Sequence, residues 1–390
     1  MVTNGSIQKQ REIKVLRIIA RMNVGGPAVQ ITSLMLFLPA DRFIQRLLTG
    51  SCGSEEIDFL YEKDIQLGEI RVPDFGQNLN LLSNWKAFVE IRRIMQDFEP
   101  DIVHTHTAKA GFLGRIASLS IRGKHIRVHT FHGHLLHGYF GKAKKKFVIY
   151  LERFLARKTN ALVAVGQRVK QDLIVAGIGH INQYHVISPG LTIKQVPSRK
   201  DAMNELGIAL DGFVVGWIGR VVPIKALHRV LEIARILQNI DSKICFLIAG
   251  DGPELSNLKK FAIAEELPIT FLGWQTKIES VLGVCDLLMS TSINEGTPVS
   301  LIQAQMAGKP VLATNVGSSS EVLLHQRTGF CLDYSKDVFA NVIKEMSVNP
   351  NLCRELGMQA KNFALQNFST KRLIEDHANL YLKLVNPANS

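Results

Sequence analysis

Arg220 and Lys225 fall at the end of the apolar run FVVGWIGR (213–220), in the stretch Gly219-Arg220-Val221-Val222-Pro223-Ile224-Lys225. In an open α/β sheet, ligands lie beyond the carboxyl ends of the strands. A guanidinium fork and an ammonium point charge at such a place suit a diphosphate, although an exposed pair with no ligand would have the same sequence. Downstream, Glu295 stands three residues before Pro298, ahead of the helical pattern VSLIQAQMA. The helix dipole favours a carboxylate near that start whatever its role. The dipole does not account for Gln303, a polar side chain in an otherwise apolar helix that ends at Gly308.

Two further stretches hold residues suited to a ligand. In Asn23-Val24-Gly25-Gly26-Pro27 the glycines permit close backbone approach, and Pro27 is placed in the first turn of a helix. Such a helix start favours an anion; a plain structural turn is the other reading. The stretch matches neither the G-x-G-x-x-G dinucleotide fingerprint nor a nucleotide-hydrolase loop. Histidines recur at His104, His106, His129, His132, His134 and His137. Their spacing is that of strands rather than of a helical H-x-x-x-H zinc pair, so no metal is expected. Most are expected to be satisfied strand-end histidines. His132, before a glycine at a strand terminus, is the one placed to face a ligand.

These residues need elements that bring them together. KVLRIIA (14–20) reads as a buried strand that leads through the glycine stretch into the helical run AVQITSLMLFL. The alternation continues through DIVHTHT (101–107), HIRVHTFHG (125–133), ALVAVG (161–166) and HVISPG (185–190). After the polar segment LTIKQVPSRKDAMNELG a second series begins with FVVGWIGR. It runs on through ICFLIAGDGPE (244–254), ITFLGW (269–274), DLLMSTS (286–292), PVLATNVGS (310–318) and GFCLD (329–333). Strands alternating with helices argue for α/β domains, each a parallel sheet covered on both faces. The expected division is a first domain over 1–195, a second over 196–365, and a helical stretch over 366–390 that packs back on the first.

Length supports two domains, because 390 residues exceed what one core of roughly 250–300 residues serves. Apolar residues at 46% and charged ones at 21% are ordinary for a globular protein, and no run approaches the ~18 apolar residues of a membrane span. The opening MVTNGSIQKQREIK lacks the apolar core of a signal peptide, and the five cysteines are scattered without metal-ligand spacing. A cytoplasmic chain, soluble or peripheral on a membrane, is expected. The net charge of +12 is concentrated: residues 101–200 carry 17 Lys and Arg against 3 Asp and Glu. A one-sided basic patch points to phosphate, in nucleic acid, anionic lipid or a phosphorylated substrate. Without a recognition-helix motif or interleaved aromatics, nucleic acid is set aside.

In order and spacing, NVGGPAVQ, PDIVHTHTAKAGFLGR, VHTFHGH, GWIGRVVPIK, AGDGPE, FLGW and NEGTPVSLIQAQMAGKPVLATNVGSSSEV resemble the retaining glycosyltransferases of family 4. The similarity spans almost the whole chain, and its nearest flavour is that of bacterial transferases building surface polysaccharides and lipid-linked glycans. The resemblance implies a GT-B fold, two Rossmann-like domains facing across a cleft, with a nucleoside diphosphate sugar held mostly by the second. It implies that Arg220 and Lys225 neutralise the donor diphosphate without a divalent cation, and that no cofactor is needed. Gly25 and Gly26 would close over the phosphates, and His132 would lie near the donor sugar. Glu295 would contact the sugar hydroxyls, with main chain at Pro298, Val299 and Ser300 beside sugar and phosphate. Trp274 would cover the nucleobase, or else belong to the core.

The sequence departs from that family in places. The family's second acid, which grips ribose hydroxyls, is replaced by Gln303, whose amide can accept a hydroxyl but lacks charge assistance. Ala226 stands where glycine is common, and Ser188-Pro189-Gly190 replaces a frequent Pro-Asn-Gly. The implied reaction is sugar transfer with retention to a glycan or lipid-linked hydroxyl, with a uridine diphosphate sugar favoured. Other GT-B activities, an epimerase or a phosphorylase, and a weakened donor-binding homologue are the alternatives. Lys142, Lys144, Lys145 and Lys146 precede Phe147, Leu151, Phe154 and Leu155, which helical spacing puts on one face. That segment is expected either to face the core with a solvated basic side, or to meet anionic lipid.

Overall fold

The structure, a computed structural model, describes residues 11–54, 56–76, 80–123, 125–133, 142–240 and 243–387, without the side chains of 142–145. Seven parallel strands make the first sheet: β1 (Ile13–Arg21), β2 (Phe43–Gly50), β3 (Ile70–Arg71), β4 (Ile102–His106), β5 (Ile126–Phe131), β6 (Ala161–Ala164) and β7 (Tyr184–Val186). Their order is β3-β2-β1-β4-β5-β6-β7. Six make the second: β8 (Phe213–Ile218), β9 (Ile244–Ala249), β10 (Ile269–Gly273), β11 (Leu287–Ser290), β12 (Val311–Thr314) and β13 (Gly329–Leu332). Their order is β10-β9-β8-β11-β12-β13. Strand order reverses between β1 and β4, and again between β8 and β11, so each sheet has a crevice beyond its strand ends.

Helices fill the crossovers. The first domain has α1 (Gly26–Phe37), α2 (Phe59–Glu62), α3 (Leu81–Phe98), α4 (Ala108–Ser120), α5 (Lys142–Ala156) and α6 (Gln167–Val175). Then come α7 (Arg199–Leu206), α8 (His228–Gln238), α9 (Leu255–Ala264), α10 (Ile278–Val284), α11 (Val299–Met306), α12 (Lys336–Val348), α13 (Pro350–Phe368) and α14 (Thr370–Val385). Strand interiors are buried on both faces, as helix-covered parallel strands require: Val15, Leu16, Ile18 and Ile19 of β1 are all inaccessible. The polar segment after β7 contains α7, started by the Ser198 hydroxyl accepting from the Asp201 amide and stopped by Gly207 at φ 64°.

Leu373, Leu380 and Tyr381 of α14 share a core with Ile13, Val15, Phe43 and Val128 of the first sheet. The chain thus passes between domains twice, and the crossings are bonded together by Leu191 N–H to Phe368 O and Thr370 N–H to Leu191 O. Two strands, β2 and β3, were not among those read from the sequence. FIQRLLTG carries Gln45 and Arg46 in its first half, which hides the apolar pattern. All five cysteines are free, and among the described residues no helix is long and apolar enough to cross a membrane.

Of the two readings of α5, the wholly core-facing apolar side is not the one that forms. Leu155 is buried and Leu151 half-buried, but Phe147 is 65% and Phe154 47% exposed, with Tyr150 also outside. What α5 turns inward instead is Glu152, 4% exposed, which accepts from Arg115 Nη2 of α4 at 2.8 and 2.7 Å. Arg115 also donates to the Gly111 carbonyl at 2.6 Å. Removing one partner strands a buried charge, whereas removing both does not. Glu152→Leu is therefore expected to destabilise the first domain by about 3–5 kcal/mol. Adding Arg115→Leu should recover most of that loss, read from the first-domain transition in urea.

Candidate active site

The two crevices face each other and form one cleft of about 750 Å³. The residues assigned to the donor site line it: Gly25, Gly26 and His132 from the first domain, and Arg220, Lys225, Trp274, Glu295, Pro298, Val299, Ser300 and Gln303 from the second. Arg220 follows β8 and is exposed, and its side chain has no hydrogen bond or ion pair to another described residue. Lys225 ends a 3-10 turn, Pro223–Lys225, and the next residue, Ala226, is buried at φ 48°, a left-handed conformation that suits glycine better than alanine.

Lys225 is paired, with a partner that its local sequence does not reveal. Its Nζ meets Glu295 Oε1 at 2.5 Å, with the lysine side chain 25% and the carboxylate 8% exposed. Ser292 Oγ donates to the same Glu295 oxygen at 2.6 Å. The dipole account of Glu295 is also corrected. Helix α11 begins at Val299 with Pro298 as its cap, and the carboxylate turns to Lys225 and Ser292 instead. Ser292 was missed; its only sequence signal is its place just beyond a strand end, in STS. Gly317 at φ 53° packs on the Glu295 backbone, where any Cβ would overlap the Glu295 carbonyl.

Gln303 lies one turn along α11, half-buried, its side chain without a hydrogen bond to another described residue. Trp274 is half-buried at the cleft wall rather than in the core, and its indole N–H reaches Glu62 Oε1 of α2 at 3.4 Å. Beside it, Lys63 Nζ donates to the Thr276 carbonyl at 2.9 Å. Sequence reading missed Glu62 and Lys63 because α2 follows the unread strand β2. At the other wall a Cβ on Gly296 would lie 2.9 Å from the Gly133 Cα and 3.0 Å from the His132 carbonyl, so backbone of the two domains is nearly in contact. A Cβ on Gly26 would stand 3.4 Å from Val299 Cγ2, which puts the glycine loop against the start of α11.

His132 Nε2 is 2.9 Å from His106 Nδ1. Burial pushes the His132 imidazole down to about 3 and likewise holds His104, His106 and His129 well below the usual range. The expectation of satisfied histidines fails at His106, whose Nε2 is buried without a partner. His134 and His137 lie outside the described residues. No three His, Cys, Asp or Glu side chains among the described residues gather as a metal site would require. The cleft thus offers one free guanidinium, one ammonium held by a carboxylate, a neutral imidazole and an unpartnered amide, which suits a ligand with both anionic and hydroxyl groups.

Two family models match consecutive parts of the chain: glycosyltransferase family 4 over residues 24–195, and glycosyl transferases group 1 over 198–363. The chain is 26% identical over 370 residues to UDP-Gal:alpha-D-GlcNAc-diphosphoundecaprenol alpha-1,3-galactosyltransferase of Escherichia coli, covering 92% of this chain and 94% of that one. It shares the fold of Anabaena HepE, solved with UDP-glucose, at TM-score 0.79 and 22% identity, over 95% of this chain and 100% of that one. Sucrose-phosphate synthase from Thermosynechococcus elongatus matches at TM-score 0.81 and 16% identity, over 97% and 100%.

Two outcomes are expected. Gly296→Ala should leave both domains folded but hold them apart, raising the radius of gyration in solution scattering. The second concerns pH. A histidine whose folded pKa is about 3 against roughly 6.5 unfolded gives stability that is present above pH 6.5 and lost as pH falls, because only the unfolded chain takes up the proton. Between pH 7.5 and 5, His132 and His377, the latter buried on α14 and likewise pushed down to about 3 by burial, should each cost about 2 kcal/mol, read from urea midpoints.

Proposed function

The chain belongs to the glycosyltransferases of group 1 and family 4, and on that premise we propose that it transfers a sugar, with retention, from a uridine diphosphate sugar to a hydroxyl of a glycan or lipid-linked acceptor. The reading rests chiefly on one observation. An unpartnered Arg220 and the Lys225, Glu295, Ser292 cluster stand at the crevice of one sheet, opposite His132 and the glycine loop of the other. The role in bacterial cell-envelope glycan synthesis is supported by the Escherichia coli relative, named for a diphosphate-lipid acceptor.

In this reading, Arg220 grips the diphosphate by two N–H groups, and Lys225 shares its three donors between Glu295 and a phosphate oxygen. These charges stabilise the leaving group in place of a divalent cation. The departing phosphate oxygen takes the acceptor proton on the same face, so no strong base is required. Glu295 accepts from sugar hydroxyls with the oxygen that Ser292 and Lys225 leave free, main chain at Pro298, Val299 and Ser300 lies alongside, and Trp274 walls the nucleobase. Gln303 accepts from a ribose hydroxyl more weakly than a carboxylate would.

The acceptor side favours a membrane surface on the cytoplasmic face. On α5, exposed Lys146 adjoins exposed Phe147, with Tyr150 and Phe154 one and two turns on, a combination suited to an anionic interface. The side chains of Lys142, Lys144 and Lys145, assigned to the same surface, lie outside the described residues.

The test is to incubate the protein with a panel of nucleotide sugars and a polyprenyl-diphosphate-linked sugar, following release of uridine diphosphate and the product anomer by proton NMR. Release that depends on acceptor, with an α-product from an α-donor, supports the reading; release without acceptor, or an inverted product, refutes it. Glu295→Ala should lower turnover about 100-fold or more. Gln303→Glu should lower the donor KM about tenfold, equivalent to the 1–2 kcal/mol of a charge-assisted hydrogen bond, and leave kcat nearly unchanged.

A further inference from the structure

We propose that a buried group in the first domain, Arg17, Tyr381, His104 and His106, fixes the tautomer of His132 so that it meets the cleft as an Nδ1–H donor. For its purpose the proposal rests on the cleft being the transfer site, but its test does not.

Arg17 is inaccessible to solvent and has no carboxylate within ion-pair distance among the described residues. Strand register puts it beside His104, pairs Ile19 with His106, and pairs His106 with Thr130. With a period of two, Arg17, His104, His106, Thr130 and His132 share one sheet face, the face on which Tyr381 of α14 packs. A column of polar groups therefore runs under α14 toward the cleft.

The proton positions follow from what each group can do. A guanidinium only donates. Arg17 Nη1 gives its hydrogen to the Tyr381 hydroxyl at 2.8 Å and also faces His104 Nδ1 at 3.4 Å, so His104 Nδ1 is held as an acceptor and takes the Tyr381 hydroxyl hydrogen at 2.6 Å. His104 then carries its proton on Nε2 and donates to Thr130 Oγ1 at 2.7 Å. His106 stacks on His104 with ring centroids 4.2 Å apart. Between His106 Nδ1 and His132 Nε2, 2.9 Å apart, there is room for one proton.

Two arrangements satisfy that bond. If His132 donates, His106 keeps its own proton on Nε2, a buried N–H without an acceptor in the field of the Arg17 cation. If His106 donates, Nε2 presents a lone pair to that field instead. His106 Nε2 is buried and unpartnered in either case; a buried N–H without an acceptor is the rarer outcome, and the Arg17 charge acting on the His106 ring adds to that preference. His132 therefore accepts at Nε2 and holds its proton on Nδ1, which has no partner among the described residues. An N–H aimed into the cleft can meet a sugar or phosphate oxygen. Arg17, Tyr381, His104 and His106 are positioning residues in this scheme.

The experiment uses full-length protein with 15N-labelled histidine and long-range proton–nitrogen correlation at pH 7, assigned with His132→Gln and His106→Gln. His132 is expected to be protonated on Nδ1 alone. In Arg17→Met the His106 and His132 nitrogens should shift toward mixed tautomers, a readout that the stability lost with the Gln45 and Tyr381 hydrogen bonds would not by itself move. Transfer should fall about 10- to 100-fold in kcat, with donor KM held. A His132 protonated on Nε2, or nitrogen shifts unchanged in Arg17→Met, overturns the proposal. Should Arg17→Met not fold, Arg17→Gln serves: the His106 and His132 nitrogens are expected to move toward mixed tautomers there too, and unaltered nitrogen shifts are equally fatal. The nitrogen spectrum reads proton placement without turnover, so a protein that transfers no sugar would refute the functional reading and not this one.

Discussion

The ion pair between Lys225 and Glu295 is the contact on which the arrangement of the cleft depends. A carboxylate 8% exposed is stable as an anion only when its charge is met, and Lys225 and Ser292 meet it at one oxygen. The other oxygen is left for a ligand. The pair also limits the lysine, since an ammonium already held by a carboxylate is aimed rather than free to sweep the surface. The sharp turn at Ala226 and the close packing of Gly317 on the Glu295 backbone fix both ends of the pair to strand termini, so its geometry is inherited from the second sheet.

A cleft between two domains needs a means of setting their separation. Here it is set by absence of side chains at Gly133 and Gly296, and at Gly26 against Val299, where backbone and small groups come to van der Waals distance. Polar contacts flank that line on both sides. On one side Trp274 and Thr276 meet Glu62 and Lys63. On the other, Glu321 of the second domain accepts from the amides of Gln167 and Arg168, at the start of α6, at 2.5 and 2.7 Å. A carboxylate at a helix start complements the dipole, and this one couples the first domain to the segment that supports Glu295.

Much of the fold was legible because a parallel sheet buried on both faces writes itself as short apolar runs. The eleven strands read that way end where the chemistry sits. The two edge-side strands, β2 and β3, were not legible, since β2 carries polar Gln45 and Arg46 on successive, opposite faces, the first met by Arg17 and the second lying over the Phe98 ring. With β2 went α2, and with α2 the contact of Glu62 to Trp274. The face assigned to α5 failed for a related reason: helical spacing says which residues are neighbours, and only the surrounding elements say which side is inward. Glu152, a charge, points inward because Arg115 of α4 is there to meet it.

The candidate site shows the same division. The sequence by itself determined the residue types at the strand ends, Arg220, Lys225, Glu295, Gly25, Gly26 and His132, because chemistry at a sheet crevice is written in short local stretches. Only the tertiary structure decided their pairing: that Lys225 belongs to Glu295, that Gln303 faces the cleft unpartnered, and that His132 is bonded to His106. Those pairings join residues separated by tens to hundreds of positions, as Arg17 and Tyr381 do most plainly. Local pattern fixes which groups are available, and the register of the sheets and the return of α14 fix which of them meet.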